Sequence, residues 1–501
     1  MPTSSRPRFG SLVPSCLVGL LLAATLATRP GATAGLASEL AGAWAGRISH
    51  AGEIQDLFVE LEPSADGKVT VKLTLPVIHV VRTPMAQAVP EIEGDRIRIG
   101  PFAFRYDRAA RRLEGALPEA LVPVYPMAFS LHRIERVDEP SRPPLAAPVA
   151  APAWTFDAGA PCWPGVTLAG DSVLAGCEDG QLHALDADSG KPRWSFQAGG
   201  RIRSRATVSG RDVYLQADDG MLYAIDAADG TARWKVRLVN QPIERLPFDN
   251  PKSRFDRFGS EVRAAGGLLY LGTHDGRIVA VSPSDGARAW EFATGDSVLA
   301  APAVDGGRLY AGSLDKHVYA LDAATGRLLW KRDTRGGVVS TPAVEGGRLV
   351  VGNRTYDLLG LDAKDGSVAW TRYIWFSWVE SSATIRDGVA YVGSSDAAAL
   401  FAFEVKSGRP VWKTDVRGWA WGQPAVTAER TYIGTANQPG YLGGAHQGGA
   451  VAVDRRTGQP VWRVAVEPGK AGPYGFPGSP AVGEKLVYFA GLDGKIYAFA
   501  R

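Results

Sequence analysis

Aromatic and charged side chains concentrate in a few short segments, each of which leads into a predicted β-strand. Other segments of the same kind, such as VVSTPAV, carry only small residues. A concave mouth lined by aromatic rings and a few charges suits a small ligand or a peptide, and Trp and Arg are common anchors of protein interfaces. The alternative is that these side chains fill a channel and support one another by stacking and cation–π contacts. The set comprises Arg201, Arg203, Arg205, Glu261, Arg263, Trp375, Phe376, Trp378, Glu380, Trp419, Trp421, Tyr474 and Phe476.

No catalytic signature accompanies these residues. The sequence holds no G-x-S-x-G, no H-E-x-x-H and no C-x-x-C-H haem motif. His446 is a lone histidine in a long loop, which is more often solvated than bound to a metal. We therefore expect a binding role, with no catalytic residue and no metal ligand. Hydrolytic or lyase chemistry stays open as an alternative that no motif supports.

The elements that must position these segments belong to a repeat. A small residue, a Gly six positions later and a Trp four positions after that recur along the chain, as in Ala320, Gly326 and Trp330. Each unit of about 40 residues contains four short β runs joined by Asp-Gly or Gly-Gly turns, which suit tight hairpins. Four-stranded units of this length predict a β-propeller. The other complete copies are Ala184/Gly190/Trp194, Ala224/Gly230/Trp234, Ala280/Gly286/Trp290, Gly360/Gly366/Trp370, Ala402/Gly408/Trp412 and Ala452/Gly458/Trp462.

One further copy is split between the two ends of the repeat region. The chain ends with GLDGKIYAFAR, which supplies Ala498 but neither the Gly nor the Trp, whereas AWTFDAG near residue 154 supplies only Trp154. We therefore predict an eighth blade whose outer strand comes from the start of the region. Closing the ring in this way removes the open sheet edges. The fold prediction is an all-β, eight-bladed propeller.

The repeated skeleton resembles the tryptophan-docking motif of the pyrroloquinoline-quinone (PQQ) repeat propellers, and the resemblance covers residues 153–501. It implies that the repeated Trp residues are structural, each packed between adjacent blades. It also implies that the segments leading into the innermost strands meet at one face of the ring, around the central channel. The aromatic and charged residues from Arg201 to Phe476 lie in those segments, so the resemblance predicts a site at the channel rim.

Two functions follow from this resemblance. Similarity to quinoprotein dehydrogenases implies oxidation of an alcohol or sugar, with PQQ and Ca²⁺ in the channel. This sequence lacks the adjacent cysteine pair of many such enzymes, and it lacks a matching Glu/Asn/Asp set for calcium. Similarity to the outer-membrane assembly factor propellers implies a non-catalytic scaffold that binds an exported protein or a small ligand at the rim. The second is our expectation, with no cofactor. The expected rim residues are Arg201, Arg203, Arg205, Glu261, Trp375, Trp378, Glu380, Trp419, Trp421 and Tyr474.

Ahead of the ring we expect a leader, a small domain and a tether. Residues 1–34 combine Arg6 and Arg8, a short apolar run and a small-x-small cleavage site, which predicts a signal peptide. Residues 36–135 contain alternating runs such as VTVKLTLP and form a small antiparallel β domain that resembles lipocalin-like domains. Residues 137–152 are rich in Pro and Ala and predict a semi-rigid linker. The propeller follows over 153–501.

Charge and cysteine content limit the partners and the compartment. The formal net charge of +3 comes from three Arg in the leader, so the remainder is balanced and favours neither nucleic acid nor anionic lipid. Cys16 precedes the leader's apolar run, whereas a lipid-modified Cys would follow it, so we expect no lipid anchor. We expect a periplasmic or secreted protein that is monomeric and has no transmembrane segment. Cys162 and Cys177 flank a predicted hairpin. They form either a disulfide, which export favours, or two free thiols.

Overall fold

A computed structural model describes residues 38–501, except 51–52, 119–126, 139–141, 143–144, 248–249, 251–252, 442–445 and 470–471. The expected signal peptide lies outside the described residues. The chain divides into two compact units, one formed by Met1–Arg142 with Pro439–His446 and the other by Pro143–Gln438 with Gln447–Arg501. Among the described residues, no helix has the length and apolar character needed to cross a membrane.

The first unit is a curled antiparallel sheet of nine strands in the order β4-β3-β2-β1-β9-β8-β7-β6-β5. A single 3-10 turn, Pro76–Ile78, joins β3 to β4. The strands are β1 (Gly42–His50), β2 (Glu53–Pro63), β3 (Val69–Leu75), β4 (Val80–Ala88), β5 (Glu91–Glu93), β6 (Arg96–Ile99), β7 (Phe102–Asp107), β8 (Arg112–Ala116) and β9 (Ala128–Ile134).

Alternation of apolar and polar residues gives this sheet one buried face. In β7, Phe102, Phe104 and Tyr106 are buried while the residues between them are exposed. Trp44 of β1 is fully buried, and its indole N–H donates to the carbonyl of Leu40 at 3.0 Å. The expected small antiparallel β domain is present as this nine-stranded sheet.

The second unit consists of eight β-sheets, which we call blades 1 to 8. Blades 1 to 3 are β11 (Thr167–Ala169), β12 (Ser172–Gly176), β13 (Gln181–Asp186), β14 (Pro192–Gln197); β15 (Thr207–Ser209), β16 (Asp212–Gln216), β17 (Met221–Asp226), β18 (Ala232–Arg237); and β19 (Arg263–Ala265), β20 (Leu268–Gly272), β21 (Arg277–Val281), β22 (Arg288–Ala293). Blades 4 to 6 are β23 (Ala303–Asp305), β24 (Arg308–Gly312), β25 (His317–Asp322), β26 (Leu328–Asp333); β27 (Ala343–Glu345), β28 (Arg348–Gly352), β29 (Asp357–Asp362), β30 (Val368–Tyr373); and β31 (Thr384–Arg386), β32 (Val389–Gly393), β33 (Ala399–Glu404), β34 (Pro410–Asp415). Blade 7 is β35 (Ala425–Val426), β36 (Arg430–Asn437), β37 (Gly449–Asp454) and β38 (Pro460–Ala465), with β39 (Tyr474–Gly475) paired to β36.

Blade 8 is assembled from both ends of the repeat region, which confirms the predicted eight-bladed ring and its closure. Its strand order is β10-β42-β41-β40, with β10 at Pro152–Asp157, β40 at Ala481–Val482, β41 at Leu486–Ala490 and β42 at Lys495–Ala500. Trp154 pairs with Ala498 across β10 and β42. The innermost strand of this blade, β40, contacts β11 of blade 1, so the ring is closed.

Neighbouring blades pack face to face, which explains why the middle strands are buried on both sides. In β24 the last four of the five residues are buried, whereas the outer strand β26 alternates with solvent. Gly312 ends β24 where a Cβ atom would lie 2.1 Å from a methyl carbon of Val338, in the segment that leads into the next blade. Only glycine allows this close approach.

The repeated skeleton serves two adjacent blades. Ala320 pairs with Trp330 in the same blade, while Gly326, with a φ of 72°, lies against Trp290 of the preceding blade. The Trp290 indole also donates to the carbonyl of Ala323 at 3.0 Å. Corresponding bonds join six other Trp residues to the next blade.

Trp462 differs from the others because it faces the split blade. The strands β42 and β10 of that blade come from opposite ends of the repeat region, so no turn joins them. Trp462 packs against Tyr432 and Phe499 instead. Within the described part of the chain, its buried indole N–H has no hydrogen-bond partner.

Candidate functional site

The segments that lead into the innermost strands surround the central channel, as the sequence predicts. Each of the eight blades contributes residues to a small channel cavity of about 60 Å³. Small-molecule sites usually enclose about 300–1,000 Å³, so the channel offers far less space than such a ligand occupies. Its lining includes Gly165, Arg205, Glu261, Ala300, Thr341, Ser382, Gln423 and Ser479.

One buried carboxylate, Glu380, holds two arginines beside the channel. Arg257 donates to Glu380 Oε2 at 3.0 Å, and Arg354 Nη2 lies 2.6 Å from Oε1. The side chains of Arg257 and Glu380 are only 7% and 5% exposed. Arg354 also donates to the carbonyl of Phe255 at 3.0 Å, so Glu380 of blade 6 and the segment before blade 3 are joined through it.

Aromatic rings cover this ion network. The guanidinium of Arg257 lies 3.8 Å from the ring centroid of Trp421, and that of Arg354 lies 4.8 Å from Trp378. Trp421 in turn stacks on Trp419 with ring centroids 4.8 Å apart. These are cation–π and stacking contacts that hold desolvated charges in place. We refer to Arg257, Arg354, Glu380, Trp378, Trp419 and Trp421 as the channel network.

A second group of ion pairs lies at the mouth, beside the long insertion between blades 2 and 3. Arg245 makes a bidentate pair with Asp218, with bonds of 2.8 Å to each carboxylate oxygen. Asp256 lies 2.5 Å from the ring nitrogen of His274. Arg203 binds Glu178 and lies 4.7 Å below the ring of Trp163.

Burial and charge shift the pKa values of these groups. Burial lowers the pKa of Arg203 to about 10, against the opposing effect of the Glu178 carboxylate. Burial likewise lowers the pKa of Arg257. Burial alone would raise the pKa of Asp256, but the hydrogen bond with His274 and the charge of Arg245 lower it overall. The guanidiniums are therefore desolvated cations, and Asp256 is an anion at neutral pH.

The open part of this face is a cleft of about 410 Å³, which we call the mouth cleft. Its walls come from the start of blade 1, the segment before blade 2, the insertion and the segment that precedes blade 8. Trp163, Arg201, Arg203, Leu246 and Phe255 are among its lining residues. The volume is that of a small-ligand or peptide side-chain site.

A disulfide joins two residues next to the walls of the mouth cleft. Cys162 and Cys177 are bonded to each other and fully buried. Their neighbours Pro161, Trp163 and Glu178 all line the cleft. The amide of Glu178 also donates to the carbonyl of Pro161 at 2.9 Å. The two walls are thus fastened by a covalent bond and a hydrogen bond.

The residues predicted for the rim fall into three groups. Arg201 and Arg203 line the mouth cleft. Arg203, Arg205, Glu261, Glu380 and Trp421 line the small channel cavity, where Arg205 pairs with Glu261 at 2.9 Å. Trp375, Trp378, Trp419 and Tyr474 lie in neither cavity.

Most aromatic members of the predicted set are buried, whereas Trp378 is half-buried. Trp375, Trp419, Trp421 and Tyr474 are between 1% and 8% exposed. Trp375 packs against Tyr373 at a centroid distance of 5.3 Å. Tyr474 accepts a hydrogen bond from Asn437 at 3.1 Å. These four rings are therefore packed inside the protein and not displayed at an open mouth.

Several residues of the site do not belong to the predicted set. Arg245, Phe255 and Arg257 come from the insertion 236–260 between blades 2 and 3, which contains none of the predicted rim residues. Arg354 lies on a turn of blade 5, and Trp163 lies in a segment that the sequence places at the channel but does not single out. The signal available for the insertion was its run of Arg and Phe residues, RLPFDNPKSRFDRF.

The channel side chains do not fit bound PQQ and Ca²⁺. The channel cavity has a volume of about 60 Å³, well below the roughly 300 Å³ at which small-molecule sites begin, so it does not accommodate a flat quinone. Both oxygens of Glu380 already bind guanidinium groups. Among the described residues, no three His, Cys, Asp or Glu side chains are grouped so as to hold a metal ion.

One known protein family matches the repeat region of this chain. The family model described as outer membrane protein assembly factor BamB matches residues 146–297, 274–386 and 375–501. No curated protein sequence matches the chain.

Three solved structures illustrate how widely the fold is shared. BamB from Moraxella catarrhalis is 20% identical with a TM-score of 0.54, and the match covers 70% of this chain and 98% of BamB. Quinohemoprotein alcohol dehydrogenase from Comamonas testosteroni is 13% identical with a TM-score of 0.53, covering 70% and 76%. Sqt1 from Saccharomyces cerevisiae is 14% identical with a TM-score of 0.55, covering 71% and 99%. At these identities the likeness concerns the fold alone.

Proposed function

Because the chain belongs to the family described as outer membrane protein assembly factor BamB, we propose that it is a non-catalytic scaffold. In this proposal the ring binds another exported polypeptide at the face that carries the mouth cleft and the insertion 236–260. The protein acts in the periplasm and needs no cofactor, in line with the expected signal peptide.

The observation that carries the proposal is the filled channel. Glu380 binds both Arg257 and Arg354, and Trp421 and Trp378 cover the two guanidiniums. A reaction chamber needs space and available polar groups at its centre, whereas here those groups are committed to each other. What remains open is the mouth cleft, and long loops on a rigid ring commonly carry recognition.

The alternative is a PQQ-dependent dehydrogenase, which shares the propeller fold. It requires that the channel network open to admit a quinone and a cation. Incubation of the full-length protein with PQQ and Ca²⁺, followed by an absorption spectrum and a dye-linked alcohol oxidation assay, decides between the two. We expect no bound quinone and no turnover. Tight quinone binding with turnover would overturn the scaffold proposal.

A site-directed crosslinking experiment tests the scaffold itself. A photoreactive benzoyl-phenylalanine replaces Leu246, which lines the mouth cleft and is 38% exposed. The matched control replaces Val411, which is 44% exposed on an outer strand. We expect a discrete polypeptide crosslinked from position 246 and absent from position 411. Equal crosslinking at both positions, or none at 246, would contradict binding at this face.

A further inference from the structure

The mouth cleft contains one positive charge that nothing in the described chain neutralises. Arg201 is exposed and lines the cleft. Across the described residues, its guanidinium makes no ion pair or hydrogen bond. The neighbouring acids are committed elsewhere, since Glu178 binds Arg203 and Asp256 binds His274. The cleft therefore has an excess of positive charge, although the whole chain has a formal net charge of only +3.

Arg203 adds a second, buried cation. Only 7% of this residue is exposed, and one of its donors, Nε, lacks a hydrogen-bond partner within the described structure. A buried donor without a partner carries a desolvation cost that a nearby anion would reduce. Burial also lowers the pKa of Arg203, which indicates that its cationic form is only partly compensated by Glu178. The exposed charge of Arg201 and the partly compensated charge of Arg203 therefore favour an incoming carboxylate at this wall.

Part of the remaining lining of the cleft is apolar, beside charged residues that include Arg245 and Asp256. Leu246 is a large exposed hydrophobic residue, and Phe255 and Trp163 lie among the lining residues. Phe255 has a φ of 52°, which is rare for a residue with a Cβ. The conformation is held by Arg354, which donates to the Phe255 carbonyl, and by ring contact with Trp378 at 5.7 Å. Strained residues of this kind concentrate at functional sites.

We propose that the mouth cleft binds an acidic segment of the partner polypeptide, with a carboxylate at Arg201 and Arg203 and an adjacent apolar side chain against Leu246 and Phe255. The inference rests on the proposed scaffold function and names the chemistry of its partner. In this complex, burial of the apolar side chain supplies affinity, and the ion pair between the carboxylate and the arginines supplies specificity and register.

Calorimetric titration of the full-length protein with two synthetic peptides tests the proposal. The acidic probe is acetyl-Gly-Asp-Leu-Asp-Gly-amide and the control probe is its isosteric amide, acetyl-Gly-Asn-Leu-Asn-Gly-amide. We expect the acidic probe to bind, and the amide probe to bind roughly tenfold more weakly, because the amide cannot pair with either guanidinium. Raising the salt concentration should lower the affinity of the acidic probe for the protein and leave that of the amide probe unchanged. Equal affinity of the two probes, or no binding of either, would overturn the inference.

A matched pair of variants locates the effect. Arg201→Gln removes this charge and is expected to weaken binding of the acidic probe by roughly three- to fivefold, the upper part of the range for an exposed ion pair. Arg327→Gln makes the same change at another exposed arginine, on a turn of blade 4, and is expected to leave the affinity unchanged. Both positions are exposed, so the fold should tolerate both changes. Unchanged affinity in Arg201→Gln would overturn the assignment.

The peptide and crosslinking results together separate the two proposals. If position 246 crosslinks a polypeptide and Arg201→Gln leaves that crosslink and the peptide affinity unaltered, the scaffold stands and the acidic-segment inference is wrong. If the acidic probe binds and depends on Arg201 while no polypeptide crosslinks, the carboxylate site stands and the scaffold proposal is wrong.

Discussion

Replacing Glu380 with Gln is the sharpest test of the channel network. The carboxylate of Glu380 contacts Arg257 at 3.0 Å and Arg354 at 2.6 Å. An amide keeps the shape of the side chain but removes its charge and replaces one oxygen by an N–H₂ donor. One of the two guanidiniums then faces a donor instead of an acceptor, and both lose their counter-charge.

The cost of this substitution follows from the burial of the two cations. Removing one partner of a buried ion pair destabilises a protein by about 3–5 kcal/mol, because the remaining charge is left unpaired. Here one change leaves two cations, whose side chains are 7% and 13% exposed. We therefore expect a loss of about 4 kcal/mol in the free energy of unfolding. At about 2 °C per kcal/mol, the lower end of the range for large domains, the melting temperature falls by about 8 °C.

Thermal and urea unfolding of the full-length protein measure this loss. Glu345→Gln is the control, because Glu345 is exposed at the end of β27 in the adjacent blade, and such surface changes stay within about 0.5 kcal/mol. Arg257→Met should cost less in the Glu380→Gln background than in the wild type, because the two residues interact. A Glu380→Gln protein that melts within 2 °C of the wild type would refute the assigned role of the network.

Three further predictions concern the ring and its closure. Trp290→Phe should destabilise the protein by about 1 kcal/mol more than Trp462→Phe in urea unfolding, because only Trp290 has an indole hydrogen bond to lose; equal losses would contradict this. Replacing Cys162 and Cys177 together by Ser should cost about 3 kcal/mol, the value for a closed loop of about 15 residues, and an unchanged melting temperature would count against it. Burial raises the pKa of Asp296, but hydrogen bonds from a guanidinium and a backbone N–H lower this pKa overall. The ionised Asp296 therefore stabilises the folded protein fully above the ordinary pKa of about 3.9, and this contribution is lost as the pH falls through the lower pKa of the folded state. The stability difference between wild type and Asp296→Asn should therefore stay constant down to about pH 4 and shrink below it; a difference that persists at lower pH would show the reasoning to be wrong.

The architecture of the ring is visible in the sequence because its signals are local and repeated. Gly326 marks a turn, Trp330 marks the outer strand, and the spacing between them returns in every complete unit. The unmatched Trp154 and Ala498 identify the split blade, and the two pair in the structure. Each of these inferences needs only a short window of sequence and its recurrence.

The candidate site is less accessible to such reasoning. The sequence identifies Trp421 and Glu380 as unusual, but it leaves open whether they form a rim or a plug. Arg257 reaches Glu380 across 123 residues of sequence, and no local pattern links the two. The mouth cleft likewise depends on how the insertion folds back over blades 1 to 3, which the composition of a loop does not specify.

The number of blades and the closure of the ring can be read from the sequence, because the hairpin turns and the residues that pack between blades recur at a fixed spacing. The burial of Trp419 and Trp421, and the lack of an ion pair for Arg201 among the described residues of the open cleft, became visible in the tertiary structure. Burial and charge pairing are properties of neighbours brought together from distant parts of the chain, and a repeat fixes the position of each segment without fixing which side chains find a partner.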